Sequence, residues 1–287
     1  MAFAGTGKIW MNGSMVDWKD ATIHVASHVI HYGTGAFEGL RAYDSKTGTN
    51  VFRLEPHMRR MIDSCRVYRM EPKWSQAELS RAVLDTVRIN GFKSCYIRPV
   101  VFRGYDSLTL DPRPCPVEAA IIVWEWSQMM GAEALEKGID VGVSSWTRLA
   151  PNTLPALAKG SANYANSALI KMQAMLDGYA DAVALDESGL LSEGSGQNLF
   201  LVRDGVICTP TLASSVLQGL RDGPSLAGAD HDLVERPHRR NLDGRAAEKR
   251  LVGQVEELAR NRRFADLKAE VLGEHHHRVA GDARQHR

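Results

Sequence analysis

The sequence predicts an α/β (α+β) protein of two domains. Its 287 residues are about twice the length of a common domain. The first half mixes β-patterned runs with amphipathic helical ones, and the second half, up to Gly219, sets a helix before a strand–turn–strand series.

"KIWMNGSMVDW" has the form of a β-hairpin, two short strands around Asn12-Gly13. "EPHMRRMIDSCRVYRM" follows as a helix opening on a proline, with Met58, Met61, Ile62, Cys65 and Val67 at helical spacing. A second helix, "SQAELSRAVLDTVRINGF", carries Leu79, Val83, Leu84 and Val87 on one stripe. Ser75 is its N-cap, Glu78 three residues later completes a capping box, and Gly91 marks the end. "CYIRPVVFRG" and "EAAIIVWEW" are β-branched and aromatic, the composition of buried strands. "MMGAEALEKGIDVGVSSW" passes from a short helix to a strand, and the connection between domains falls near Met130 to Lys137, dividing residues 1–130 from 131–287. "NSALIKMQAMLDGY" is a helix, and "DAVALDESGLLSEGSGQNLFLVRDGVICTP" is strand, turn and strand with a hairpin at Arg203-Asp204-Gly205.

After Gly219 the character changes. Phe264 is the only aromatic residue beyond that point, and His231, His238, His275, His276, His277 and His286 stand among many arginines. Residues 245–272 could form an amphipathic helix through Leu251, Val255, Leu258 and Leu267; the remainder has the composition of a poorly ordered tail. "EHHHR" is better read as solvated than as a metal site, so no metal is expected.

A net charge of +1, with 24% charged residues, points to neither nucleic acid nor an anionic membrane as partner. The longest apolar run, "AAIIVWEW", is too short to span a bilayer, and the N-terminus lacks the form of a signal peptide, so a cytoplasmic protein is expected. Cys65, Cys95, Cys115 and Cys208 are widely spaced and are read as reduced packing residues.

Three residues point to chemistry. Lys159 lies among small and polar residues in "PNTLPALAKGSANYANSALI". A partly desolvated lysine loses its proton near neutral pH and can attack a carbonyl carbon, although the segment alone also fits a solvated loop lysine. Glu193, in the glycine-rich "LLSEGSGQNLF", could face a pyridine nitrogen, or it could cap a hairpin turn. Tyr164 could meet a phenolate oxygen, or be a core tyrosine with a satisfied hydroxyl.

From Ile9 to Gly219 the chain resembles the branched-chain amino-acid aminotransferases, which belong to the fold-type IV pyridoxal-phosphate enzymes. The resemblance is carried by "HVASHVIHYGTGAFEGLRAYDS", "VFRLEPHMRRMIDS", "CYIRPVVF", "SSWTRLAPNTLPALAKGSANY" and "LSEGSGQNLFLVRDGVICTP". It implies that Lys159 forms the Schiff base with pyridoxal 5'-phosphate and carries the proton. It further implies that Glu193 pairs with the pyridinium, Tyr164 meets the 3′ oxygen, Arg60 binds the phosphate, and Leu217, Gly219 and Leu220 touch the cofactor. For substrate it implies Tyr32, Phe37 and Gly39 in the side-chain pocket, Arg41 supporting them, and Tyr96 and Arg98 handling carboxylates. "YIRP" lies on a strand, which leaves open that one of its two polar side chains faces solvent.

Two departures stand out. Met129 replaces a common tyrosine of the pocket. Beyond "SSVLQG", "LRDGPSLAG" lacks the family's Gly-Ile-Thr-Arg-like segment, and nothing after Leu220 resembles its Thr-Gly-Thr-Ala-like turn. The hypothesis that this change suggests is a shifted reading frame, or another replacement of the C-terminal part, after about Gly219, and translating the coding DNA in its other frames tests it. The implied activity is transamination of L-leucine, L-isoleucine and L-valine with 2-oxoglutarate by at least a homodimer. The alternatives are an inactive homologue with an incomplete phosphate site, or a related enzyme acting on D-amino acids or aminodeoxychorismate.

Overall fold

The computed structural model describes residue 5 and residues 7–125, 137–203 and 206–220. Asn12 and Gly13 both adopt positive φ, the conformation a tight hairpin requires, and join β1 (Lys8–Met11) to β2 (Ser14–Asp17) in antiparallel register. A one-turn helix, α1 (His28–Tyr32), closes on Gly33 and leads to β3 (Gly35–Phe37), β4 (Leu40–Ser45) and β5 (Gly48–Val51). Helices α2 (Leu54–Val67) and α3 (Gln76–Asn90) follow, and then the two long strands β6 (Cys95–Arg103) and β7 (Val117–Glu125). The seven strands form one sheet, in the order β2-β1-β7-β6-β4-β5, with β3 also paired to β6.

One face of this sheet meets the two helices. Leu40, Ile97, Val101, Ile121 and Val123 from the strands pack with Met58, Met61, Cys65, Leu79 and Val83. Strand alternation turns Phe37, Gly39, Tyr96, Arg98 and Val100 to the opposite face. The alternative that one of Tyr96 and Arg98 faces away from the other falls: two residues apart on a regular strand, they share a face. The helix stripes are corrected in detail as well. Val67 is 52% exposed and Leu84 40%, because Met70 fills the position beyond the end of α2 and Ala82 and Thr86 complete the buried side of α3. Helix α2 begins two residues before Pro56, with Arg53 at φ 53° as its N-cap. The capping box of Ser75 and Glu78 forms as expected, and Gly91 ends α3 at positive φ.

The second half builds a smaller sheet. Strand β8 (Val141–Val143) runs parallel to β9 (Asp181–Leu185), with α4 (Asn163–Leu176) as the crossover, and β10 (Leu191–Gly194) returns antiparallel to β9. Strands β11 (Leu201–Arg203) and β12 (Val206–Cys208) pair antiparallel, as the hairpin expectation requires. The expected helix within 126–136, Met129, the Asp204-Gly205 turn and the tail helix lie outside the described residues. No described helix is long and apolar enough to cross a membrane. Burial pushes the Cys65 thiol up to about 12 and that of Cys95 to about 11, which suits packing residues.

Candidate active site

Lys159 reaches the site because its own backbone extends the large sheet. Phe37 N donates to the Lys159 carbonyl at 3.1 Å, Ser161 N donates to the Gly35 carbonyl at 2.8 Å, and Ala36 bridges Gly160. Strand β3 thus lies between β6 and the lysine segment. Lys159 N donates to Ser64 Oγ of α2 at 2.9 Å. A Cβ at Gly160 would stand 2.2 Å from the Tyr68 hydroxyl, so glycine lets this segment pass the end of α2 without displacing that ring. Lys159 Nζ is 2.5 Å from Tyr164 Oη and 5.1 Å from the centre of the Phe37 ring. Burial pushes the amine down to about 8; Glu38 opposes that shift, and Arg60 and Arg98 assist it. Burial also pushes the Tyr164 phenol up to about 12, which keeps its proton in place at neutral pH.

Glu193 stands on β10, 6% exposed, and faces Arg148, 7% exposed, at 2.8 Å. Its Oε2 accepts from Leu217 N at 3.1 Å and from Asn198 Nδ2 at 3.3 Å, while Asn198 also donates to the Leu217 carbonyl. Arg148 Nη1 is held by Asn166 Oδ1 and Ser167 Oγ of α4. Burial raises the Glu193 carboxyl above its usual range, against the pull of Arg148 and the Leu217 N–H.

Arg60 projects from α2 onto the fully buried Glu38, with Nε 2.6 Å from Oε1 and Nη2 2.8 Å from Oε2, and its Nη1 donates to the Gln218 carbonyl at 2.8 Å. Those bonds use three of the five guanidinium N–H groups. His57 Nδ1 meets the same Glu38 Oε2 at 2.8 Å. Burial pushes the Glu38 carboxyl up, and hydrogen bonds from Arg60 and His57 outweigh it, leaving the pKa below the usual carboxylate value.

Lys159, Tyr164, Glu193, Arg60, Leu217, Gly219 and Leu220 all line one cavity of about 250 Å³. A neighbouring cavity of about 460 Å³ is lined by Phe37, Arg98, Val100, Ser161 and Tyr164. Tyr164 stands between the two. The Arg98 guanidinium lies against the rings of Phe37, Tyr96 and Trp124 at 4.8, 5.3 and 5.9 Å, and donates to Tyr96 Oη at 3.3 Å. Gly39 makes room for Tyr96, since a Cβ there would fall 2.0 Å from the hydroxyl and the ring would have to move. Tyr32 and Arg41 line neither cavity. Tyr32 Oη donates to the Leu108 carbonyl at 2.9 Å, and Arg41 stands across from Tyr96 in the strand register. The carbonyls of Gln218 and Leu220 turn toward Arg60 and Arg53.

Sequence reasoning gives no role to Arg148, Asn198, His57 or Glu38. Glu38 had a visible signal: it alternates with Ala36, Leu40 and Ala42, which puts a carboxylate on the core face of a strand. Arg148 had none, because its partner lies far along the chain on β10.

The amino-transferase class IV family model matches residues 35–223. The branched-chain-amino-acid aminotransferase of Salmonella typhimurium is 48% identical over 213 residues, covering 74% of this chain and 69% of that one. The chain belongs to the class IV aminotransferases. A putative branched-chain-amino-acid aminotransferase of Methanocaldococcus jannaschii is 40% identical over 215 residues, 74% of this chain and 71% of its own. Among solved class IV aminotransferases, the Escherichia coli branched-chain enzyme superposes with a TM-score of 0.73 at 47% identity, covering 75% of this chain and 71% of that one. The branched-chain amino acid aminotransferase of Thermobaculum terrenum, solved in its PLP form, gives 0.67 at 30% identity, with 75% and 70% covered.

Proposed function

We propose that this chain is a pyridoxal-phosphate-dependent aminotransferase that exchanges the amino group of L-leucine, L-isoleucine or L-valine with 2-oxoglutarate, giving branched-chain 2-oxo acids and L-glutamate. The observation that carries the reading is a lysine amine, pushed down to about 8, standing 2.5 Å from a tyrosine hydroxyl in a cavity that also holds a buried carboxylate and a fixed guanidinium.

The donor set fits pyridoxal phosphate. Glu193 suits a pyridinium nitrogen, Tyr164 a phenolate oxygen, and the two remaining N–H groups of Arg60 a phosphate. When bound, the cofactor supplies a carbonyl carbon for amino-group exchange and an electron sink. Lys159 Nζ, easily deprotonated, would take the proton from the substrate α-carbon and deliver it to the carbon that the cofactor's carbonyl supplies, and the reverse in the second half of the exchange. Tyr164 Oη orients that nitrogen. Arg148 and Asn198 keep the Glu193 carboxylate aimed while its burial excludes water.

The second cavity accounts for a dual substrate. Phe37 and Val100 provide apolar surface worth roughly 1.5 to 3 kcal/mol for a buried leucine-sized side chain, and Arg98, with Tyr96, provides a counter-charge for the distal carboxylate of glutamate. Residues 1–130 form the substrate-pocket domain in this reading, and residues from 131 onward supply the cofactor lysine. Homodimerisation belongs to it as well: Val25, Ile30, Leu108 and Leu110 are exposed apolar residues on two adjoining segments, tied by the bridge of Ser27 to Tyr105 and by His28 to Thr109. Size-exclusion chromatography with light scattering tests that part.

The activity is tested by following 2-oxoglutarate-dependent deamination of L-leucine beside D-alanine in the wild type and Lys159→Ala, with borohydride trapping of the cofactor on the protein and peptide mapping of the lysine that carries it. Turnover of L-leucine and trapping in the wild type alone support the reading. Turnover of D-alanine in preference, or equal trapping in both proteins, overturns it.

A further inference from the structure

We propose that Glu38 is the positioning residue of the anion end of this site: it acts through Arg60, holding the guanidinium at the angle from which it binds a phosphate monoester. The inference rests on the reading that Arg60 faces the cofactor phosphate.

A carboxylate on the core face of a strand is costly to bury unless it is fully paired. Glu38 is 0% exposed, yet lies in a row with Ala36, Leu40 and Ala42. The pairing between β3 and β4 along β6 lapses at this point while the register stays the same on both sides. Glu38 N still donates to the Pro99 carbonyl at 2.9 Å, so the backbone is anchored to the sheet. The carboxylate thereby becomes a fixed point that reaches across to α2.

Both oxygens are committed. Arg60 binds in a fork at 2.6 and 2.8 Å, and His57, one helical turn earlier, shares Oε2 at 2.8 Å. A forked pair fixes the plane of a guanidinium and not merely its position. The Gln218 carbonyl takes a third N–H from the opposite side. The remaining Arg60 donors are therefore pre-aimed into the cavity, and His57, lining the same cavity, is oriented through its Nδ1. Catalysis and binding gain from donors whose geometry is set before the ligand arrives. The hydrogen bonds of Glu38 go to Arg60, His57 and Gly39 N, and it reaches Lys159 and Tyr164 only as a charge, which makes it a positioning residue.

The test compares binding of pyridoxal 5'-phosphate with that of pyridoxal, which lacks the phosphate, to cofactor-saturable apoprotein by fluorescence titration. Wild type, Glu38→Gln, Glu38→Ala, Arg60→Ala and the double variant Glu38→Ala/Arg60→Ala are measured, with circular dichroism to establish folding. We expect the preference for the phosphorylated ligand to fall about tenfold or more in Arg60→Ala and in Glu38→Ala. The double variant should be no worse than Arg60→Ala, and Glu38→Gln, which keeps an acceptor, should fall between. Because the preference is a ratio, a change at Lys159 that both ligands feel cancels from it. If Arg60→Ala keeps the full preference, the reading of the phosphate end fails, and this inference with it. If Arg60→Ala loses it while the Glu38 variants keep it, or if the two losses add, the inference alone fails. Loss of fold in both Glu38 variants with Arg60→Ala intact also overturns it, since Glu38 would then serve the core.

Discussion

At Lys159 the burial that lowers the amine pKa also makes the lysine reactive. In the unfolded chain the amine holds its proton up to about pH 10.4, and in the fold only up to about 8. Between those values the unfolded state binds more protons, so this residue's contribution to stability rises with pH there, and its unfavourable burial is greatest below 8. We expect capture of a carbonyl probe by cofactor-free protein to rise through about pH 8; a midpoint near that of a free lysine would count against a buried amine. Arg148 shows the complementary case. Removing it leaves Glu193 buried without its cation, and Arg148→Ala should cost about 3 to 5 kcal/mol of stability in chemical denaturation, with the Glu193 carboxyl driven further upward. A loss too small to measure would mean that Leu217 N–H and Asn198 hold Glu193 by themselves. Lys159, Tyr164 and Glu193 stood out in their own segments, but those segments left bland alternatives open, and it was the resemblance spread over several motifs that gave each a role. Arg148 did not stand out, because its meaning depends on a residue 45 positions later meeting it in space.

Among the elements, long periodic segments and strands joined by a turn signal were legible, and short strands without one were not. Helix α3 carries its boundaries in its own residues, with Ser75 and Glu78 bonding reciprocally at one end and Gly91 at the other. Ser75→Ala should therefore lower stability by about 1 kcal/mol without changing cofactor affinity, since no residue of α3 lines either cavity. Thermal melts with and without cofactor separate those two effects, and a changed affinity would show that α3 supports the site after all. Strand β3, by contrast, has three residues and exists because β6 lies on one edge and the Lys159 segment on the other. No local propensity could announce it. The same holds for the open question of "YIRP": strand period alone decides that Tyr96 and Arg98 face one way, once β6 is recognised as regular through all nine residues.

Across the whole molecule, the cavity has walls from both sheets. Arg60 comes from α2 under the seven-stranded sheet, Glu193 from β10 of the small sheet, and Lys159 from the segment that pairs with β3. Arg60 reaches Gln218, and Ser64 reaches Lys159, so the contacts between the halves concentrate around the place where a ligand would lie. A ligand bound there stabilises the folded state by mass action, by about 2.7 kcal/mol at a concentration one hundred times its dissociation constant. For the 150 to 250 residues of such a fold that is roughly 5 to 10 °C in melting temperature. Because the ligand touches elements of both halves, we expect pyridoxal phosphate to move a single unfolding transition as a whole in differential scanning calorimetry. Lys159→Ala should keep only the part of the shift that comes from non-covalent contacts. Two transitions, of which the cofactor moves one, would mean that the halves unfold independently and that the lysine segment, although paired with β3, does not couple them. A single transition moved by pyridoxal phosphate in the wild type and much less in Lys159→Ala would locate that coupling at the lysine itself, where backbone pairing to one half and side-chain chemistry facing the other meet in one residue.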